Sequence, residues 1–248
     1  MQADLRGKAA LVTGASRGIG AATALKLAQL GCDIVLNYRS KAARAEEVMD
    51  RLRKLNVKVV PAQADITNPD DIAAMFAETH RQLGKLDFLI LNASGGMEKD
   101  KPADYAMTLN LDAQVGLVKG AAELMGQGSR IVFVTSHWAH FYGQKPVMPE
   151  YEAVAKSKRA GEDALRGLAV ELSGKGISLI VVSGDLIEGT ITPRLLQRQA
   201  PGLIEMRRQE VGGLPTVDEF AAAIVNAAVD ETLPTGHTIY VGSTEYGE

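Results

Sequence analysis

The chain has 248 residues, 46% hydrophobic and 23% charged, with 27 Lys and Arg against 30 Asp and Glu for a formal net charge of −3. That is ample for a sizeable core, while the slight negative balance and the lack of a long basic run argue against nucleic acid as a partner. No apolar stretch reaches the roughly 18 residues of a membrane span, the charged start MQADLRGK is unlike a secretory leader, and the single Cys32 cannot pair within the chain, so a reducing cytoplasm is the expected setting.

Short apolar runs alternate with longer helical patterns from end to end, without a Pro/Ser-rich linker, repeat or low-complexity segment, so 1–248 reads as one domain. Strands are predicted at about 8–13, 32–38, 57–62, 86–91, 129–135, 176–182 and 236–241, with helices at about 18–30, 41–55, 69–83, 103–125, 151–173 and 216–230. The strand runs are almost continuous in Val, Ile and Leu, which requires cover on both faces. An α/β fold follows: a doubly wound, seven-stranded parallel sheet with helices on both faces and a ligand beyond the carboxyl ends of its strands.

The first strand runs into Thr13-Gly14-Ala15-Ser16-Arg17-Gly18-Ile19-Gly20 and then a helix. Glycines at 14, 18 and 20 permit a tight turn and a close approach of backbone to a pyrophosphate, which the helix N-terminus then faces; Ser16, Arg17 and Ile19 belong to the same cradle. After the second strand, Leu36-Asn37-Tyr38-Arg39-Ser40 lacks the carboxylate that would bind ribose hydroxyls and repel a 2′-phosphate. Arg17 and Arg39, with Ser40 beside them, would instead clamp that phosphate, so NADPH is favoured over NADH.

Four motifs, TGASRGIG, Asp65 in AQADIT, Asn92-Ala93 in LILNASGG and Asn110 in MTLNLDAQ, resemble the short-chain dehydrogenase/reductase family over the whole chain. The resemblance implies a single Rossmann-type domain that binds NAD(P)(H) and assembles as a homotetramer or homodimer. It also implies Asp65 near the adenine, Asn92 supporting the cofactor and Asn110 holding a water in a proton relay. On the residues alone, Asp65 and Asn92 also suit turns at strand ends, and Asn110 suits a buried amide that satisfies backbone groups.

In that family a Ser, a Tyr and a Lys four residues after the Tyr carry the chemistry. Ser136 in IVFVTS matches the Ser, and Lys158 opens a stretch resembling the helix after the family Lys, yet four residues before it stands Val154. The nearest phenol upstream is Tyr151. At about 100° per residue, Lys156 would lie about 140° round the helix from Tyr151, whereas Lys158 returns to within about 20°. A Tyr and a Lys seven apart, after Pro149-Glu150, resemble the enoyl-thioester reductases of the family. A Tyr one turn earlier moves its hydroxyl by ~4.5 Å, which suits an oxygen two bonds from the carbon that takes hydride.

The leading expectation is therefore NADPH-dependent reduction of a conjugated C=C in an enoyl thioester or enone, with Tyr151 on the developing enolate oxygen, Lys158 on the nicotinamide ribose and Ser136 as second donor. The alternatives are a ketoreductase or alcohol dehydrogenase and a non-catalytic NADPH-binding protein. The loop His137-Trp138-Ala139-His140-Phe141-Tyr142-Gly143 would wall an apolar pocket through His137, Trp138 and Tyr142, for a thioester-linked or aromatic small molecule; His137 and Tyr142 are also rival proton donors. No metal site is expected. Ser183-Gly184 stands where most relatives have Pro-Gly, Thr190 resembles the Thr that contacts the carboxamide, and 191–213 reads as a mobile helical lid whose Arg194, Arg198, Arg207 and Arg208 would attract acidic groups.

Overall fold

The computed structural model describes residues 3–98 and 100–245, so the outermost ends of the predicted domain, 1–2 and 246–248, lie outside the described residues. The strands are β1 (Ala9–Val12), β2 (Asp33–Tyr38), β3 (Val59–Gln63), β4 (Phe88–Leu91), β5 (Arg130–Ser136), β6 (Ser178–Gly184) and β7 (Thr238–Val241). They form one seven-stranded sheet in the order β3-β2-β1-β4-β5-β6-β7, parallel throughout. β1 and β4, at its centre, are buried at every position, which is why AALV and FLIL show no polar alternation. β3 is an edge strand: Val60 and Ala62 are buried, Pro61 and Gln63 are exposed, and the edge tolerates a residue with no N–H to give.

The helices are α1 (Gly18–Gln29), α2 (Ala42–Arg53), α3 (Pro69–Leu83), α4 (Tyr105–Met107), α5 (Ala113–Ala122), α6 (His137–His140), α7 (Glu152–Gly167), α8 (Ala169–Gly174), α9 (Ile191–Gln199), α10 (Leu203–Val211) and α11 (Val217–Val229). Two predicted helices differ in detail. The one expected over 103–125 is interrupted by a π turn at Thr108–Asp112 that contains Asn110, and the one over 151–173 begins in a 3₁₀ turn at Pro149–Tyr151 and breaks between α7 and α8.

One face of the sheet buries Leu27 of α1, Leu52 of α2 and Phe220 of α11 against Val12, Ile34 and Val182. The other buries Phe76 of α3, Leu117 of α5 and Leu165 of α7 against Leu11, Leu89 and Val181. Each such side chain contributes roughly 1.5–3 kcal/mol, so this double layer is what fixes the strand ends that carry the site. A third, smaller cluster joins Tyr151 and Val154 to Leu186, Leu196 and Leu214 beneath α9. Among the described residues no helix is long and apolar enough to cross a membrane.

Candidate active site

The strand order reverses between β1 and β4, and a cleft of about 710 Å³ opens past the carboxyl ends there. At one end stands the glycine turn. Gly14 (φ +64) and Gly18 (φ +55) occupy the left-handed region, while Gly20 serves packing: a Cβ there would lie 2.6 Å from Asn92 Nδ2 and 2.7 Å from the Gly14 carbonyl oxygen. Two residues that the motif does not single out hold this turn. Thr13 Oγ1 donates to the Ile90 carbonyl and accepts from the amides of Asn92 and Ala93, and Asn37 Oδ1 accepts from Gly14 N at 3.2 Å while its amide donates to Ala62 and Ala64.

α1 starts without a side-chain cap and without an acidic residue in its first turn. α11, by contrast, opens with a reciprocal Thr216–Glu219 capping box. The unpaired N–H groups of α1 face the same cleft as Gly14, Ser16, Arg17, Gly18 and Ile19, an arrangement that fits a dinucleotide pyrophosphate. Arg39 and Ser40 line it too, joined by Lys41 and Arg44, which the sequence reading missed; the Arg39 guanidinium donates to the Tyr105 hydroxyl across the cleft. Asp65 lines the wall and accepts from Thr67 N and Oγ1. Burial alone would raise its pKa, but those bonds and the Arg39 charge hold it below the ordinary value. Asn92 Nδ2 donates to the Thr13 carbonyl at 2.9 Å, and Thr190, at the cleft wall, donates to the Ile187 carbonyl at 2.8 Å.

At the other end Ser136 closes β5, opposite Gly184 of β6, and its Oγ lies 3.2 Å from the Tyr151 hydroxyl. Tyr151 belongs to the 3₁₀ turn, with φ −108 and ψ −5, so the regular helix assumed from the spacing does not extend through it. The Tyr151 hydroxyl and Ser136 Oγ nonetheless converge. Lys158 is buried and lines the cleft, Lys156 is exposed, and Val154 packs in the small cluster. Burial raises the Tyr151 phenol, with Ser136 partly opposing, and pushes the Lys158 ammonium down to about 8, with Glu162 partly opposing.

Asn110 does not line the cleft. Its Nδ2 donates to the Gly95 carbonyl at 2.8 Å and to Ser157 Oγ at 3.0 Å, so it braces the loop after β4 against α7 rather than presenting a free amide. Gly161, also missed, makes that approach possible, since a Cβ there would lie 2.0 Å from the Asn110 carbonyl oxygen. Trp138 lines the cleft with its ring 5.2 Å from that of Tyr151. His137 lines it as well but is buried, with Nδ1 2.8 Å from Ser183 Oγ, and burial pushes its pKa down to about 4. Tyr142 is not part of the wall, contrary to expectation: its hydroxyl donates to Glu152. The predicted lid is helical as α9 and α10, and Arg194 faces the cleft. Arg207 is buried on Asp185 at 2.8 Å and Arg208 pairs with Glu188 and Glu205, so these two are spent on structure, not on an acidic ligand.

Residues 8–199 match the family model for short chain dehydrogenases. The chain is 36% identical over 188 residues to the hydroxynaphthalene reductase-like protein Arp2 of Metarhizium robertsii, covering 73% of this chain and 68% of that one. It is 30% identical over 227 residues to a tetrahydroxynaphthalene reductase of Pyricularia oryzae, covering 89% and 77%. Among solved structures it resembles a short chain dehydrogenase from Burkholderia cenocepacia in complex with NADP, with a TM-score of 0.83, 28% identity and coverage of 96% and 97%.

Proposed function

The chain belongs to the short-chain dehydrogenase/reductase family, and on that premise we propose that it is an NADP(H)-dependent ketoreductase acting on a planar aromatic or fused-ring ketone. Ser136 Oγ and the Tyr151 hydroxyl, 3.2 Å apart, are two donors able to meet on one oxygen, and the observation that carries the choice of a ketone is the similarity to relatives named as hydroxynaphthalene and tetrahydroxynaphthalene reductases. When bound, NADPH supplies a hydride to the carbonyl carbon. Tyr151 gives its proton to the carbonyl oxygen as negative charge grows there, and Ser136 hydrogen-bonds the same atom. A phenol raised by burial arrives protonated, as this direction requires. Lys158 holds the ribose hydroxyls and stabilises the phenolate left on Tyr151. Arg17, Arg39, Lys41 and Arg44 hold the 2′-phosphate, and Gly14, Gly18 and the N-terminus of α1 hold the pyrophosphate.

Reduction of a conjugated C=C, the leading reading of the seven-residue spacing, drew on a hydroxyl one turn from the usual family position, and Ser136 and Tyr151 meeting on one oxygen serve either reaction. The relatives named as hydroxynaphthalene and tetrahydroxynaphthalene reductases favour the carbonyl reading, and the Trp138 ring beside Tyr151 offers a flat surface to a ring substrate. We read α9 and α10 as the lid over that ring. The test is NADPH oxidation with a bicyclic aromatic ketone, an acetoacetyl thioester and a crotonyl thioester. Turnover is expected to be fastest with the bicyclic ketone. Turnover of the crotonyl thioester alone would restore the enoyl reading, and tight NADPH binding without turnover of any of them would make the protein a binder.

A further inference from the structure

Lys158 sits in an unusual electrical setting. It is 7% exposed, and no carboxylate lies within ion-pair distance of its ammonium among the described residues. One turn further along α7, Glu162 is fully buried. Its carboxylate is gripped from two sides: His140 Nδ1 lies 2.9 and 3.0 Å from its two oxygens, and Arg166 Nε donates at 2.9 Å. An ionised carboxylate only accepts, so His140 Nδ1 is the donor to Glu162, and its Nε2 lies 3.0 Å from the Tyr240 hydroxyl. Arg166 is itself fixed by donating to the Gly236 carbonyl and Thr238 Oγ1. Burial would raise the Glu162 carboxyl, but these bonds reverse that and hold it below its ordinary value. A buried anion braced by three elements is an expensive feature to keep unless its charge is used.

The elements packed against α7 carry few rival charges. His137 is pushed towards neutrality by burial, Tyr151 and Tyr105 are phenols raised by burial, and Asp112 of the π turn is exposed. Arg159 is paired with Asp163, Arg130 lies at the opposite end of β5, and Lys119 and Glu171 lie on α5 and α8. The anion that acts on Lys158 is Glu162, one turn away on α7, with the Arg166 cation that braces it one turn further along.

We propose that Glu162, held ionised by His140 and Arg166, is a positioning residue that keeps the Lys158 ammonium charged inside the cleft. Burial alone drives that amine towards its neutral form, which neither holds a ribose hydroxyl as a cation nor stabilises a phenolate. The proposal rests on the role given to Lys158 above and extends it to Glu162 and its two braces, none of which lines the cleft.

The test reads Lys158 directly, without nucleotide or turnover. The full chain is trace-labelled with acetic anhydride across the alkaline range, and acetylation of Lys158 is followed by mass spectrometry against exposed Lys156 on the same helix. In Glu162→Gln the half-point of Lys158 labelling is expected to fall by about one pH unit, roughly fivefold more free amine at pH 7, while Glu162→Asp keeps the wild-type half-point. Should Glu162→Gln not fold, the triple variant Glu162→Met/His140→Phe/Arg166→Met removes the anion and both of its donors together and carries the same expectation. An unchanged Lys158 half-point in a folded variant lacking the carboxylate overturns the proposal. Failure of wild-type protein to bind NADPH would instead strike the ketoreductase reading and leave the labelling result standing.

Discussion

The two ends of the cleft are built by different means. At the nucleotide end the backbone does most of the work: Gly14 and Gly18 in left-handed conformation, Gly20 stripped of a side chain so that Asn92 can approach, and the bare N-terminus of α1. At the other end side chains from distant positions are tied together, Ser136 to Tyr151, His137 to Ser183, Glu162 to His140 and Arg166, Asp185 to Arg207. A backbone site tolerates change on its rim and fails when a Cβ is added. A side-chain site fails one function at a time.

That contrast breaks most sharply at Tyr151. Tyr151→Phe is expected to lower kcat by about 10²–10⁴-fold with NADPH affinity nearly unchanged, measured by steady-state turnover beside fluorescence titration. Next in size is acid sensitivity at the side-chain end. With its pKa held near 4 against an ordinary 6.5, His137 contributes stability that is fully present above pH 6.5 and is lost as pH falls through 4, roughly 3 kcal/mol in all. Denaturant melts across that window should show the loss in wild type and a flatter profile in His137→Phe/Ser183→Ala.

At the nucleotide end, Gly20→Ala forces a methyl against the Gly14 carbonyl and the Asn92 amide. It is expected to lower stability by about 1–3 kcal/mol and to weaken NADPH binding, whereas Tyr151→Phe leaves binding in place. The smallest effect belongs to the rim. Arg39→Asp should weaken NADPH about tenfold relative to NADH, read as the ratio of the two dissociation constants, and equal weakening of both would remove Arg39 from the phosphate clamp.

The same contrast explains what could be read from the residues. Strand runs, the glycine turn and the ends of β2 and β4 are local, and each constrains its own few residues of backbone, so order and cleft followed from them. The 3₁₀ turn at Tyr151 was not readable because Pro149 marks where a helix starts without saying how tightly it winds, and the Tyr–Lys spacing alone does not distinguish C=C from C=O. Tyr142, Arg207 and Arg208 were misassigned because a loop aromatic or a lid arginine shows nothing of its partner; Glu152 and Asp185 are fixed only by the fold. Glu162 gave one usable signal, a carboxylate one turn from a lysine with an arginine one turn beyond, yet the same stripe decorates many solvent-facing helices.

The absent cap on α1 reaches beyond ligand recognition. α3, α6 and α11 close their first turn with side chains, whereas α1, like several other helices here, does not, and its opening amides at the cleft are left for a guest, a deficit of about 1 kcal/mol by the usual worth of a cap. The coenzyme is then the missing piece of the helix as well as the reagent, and its concentration in the surrounding fluid becomes a term in whether the chain stays folded. Melting temperature should climb with added NADPH, so supply of reducing power would govern how much protein survives as well as how fast it turns over.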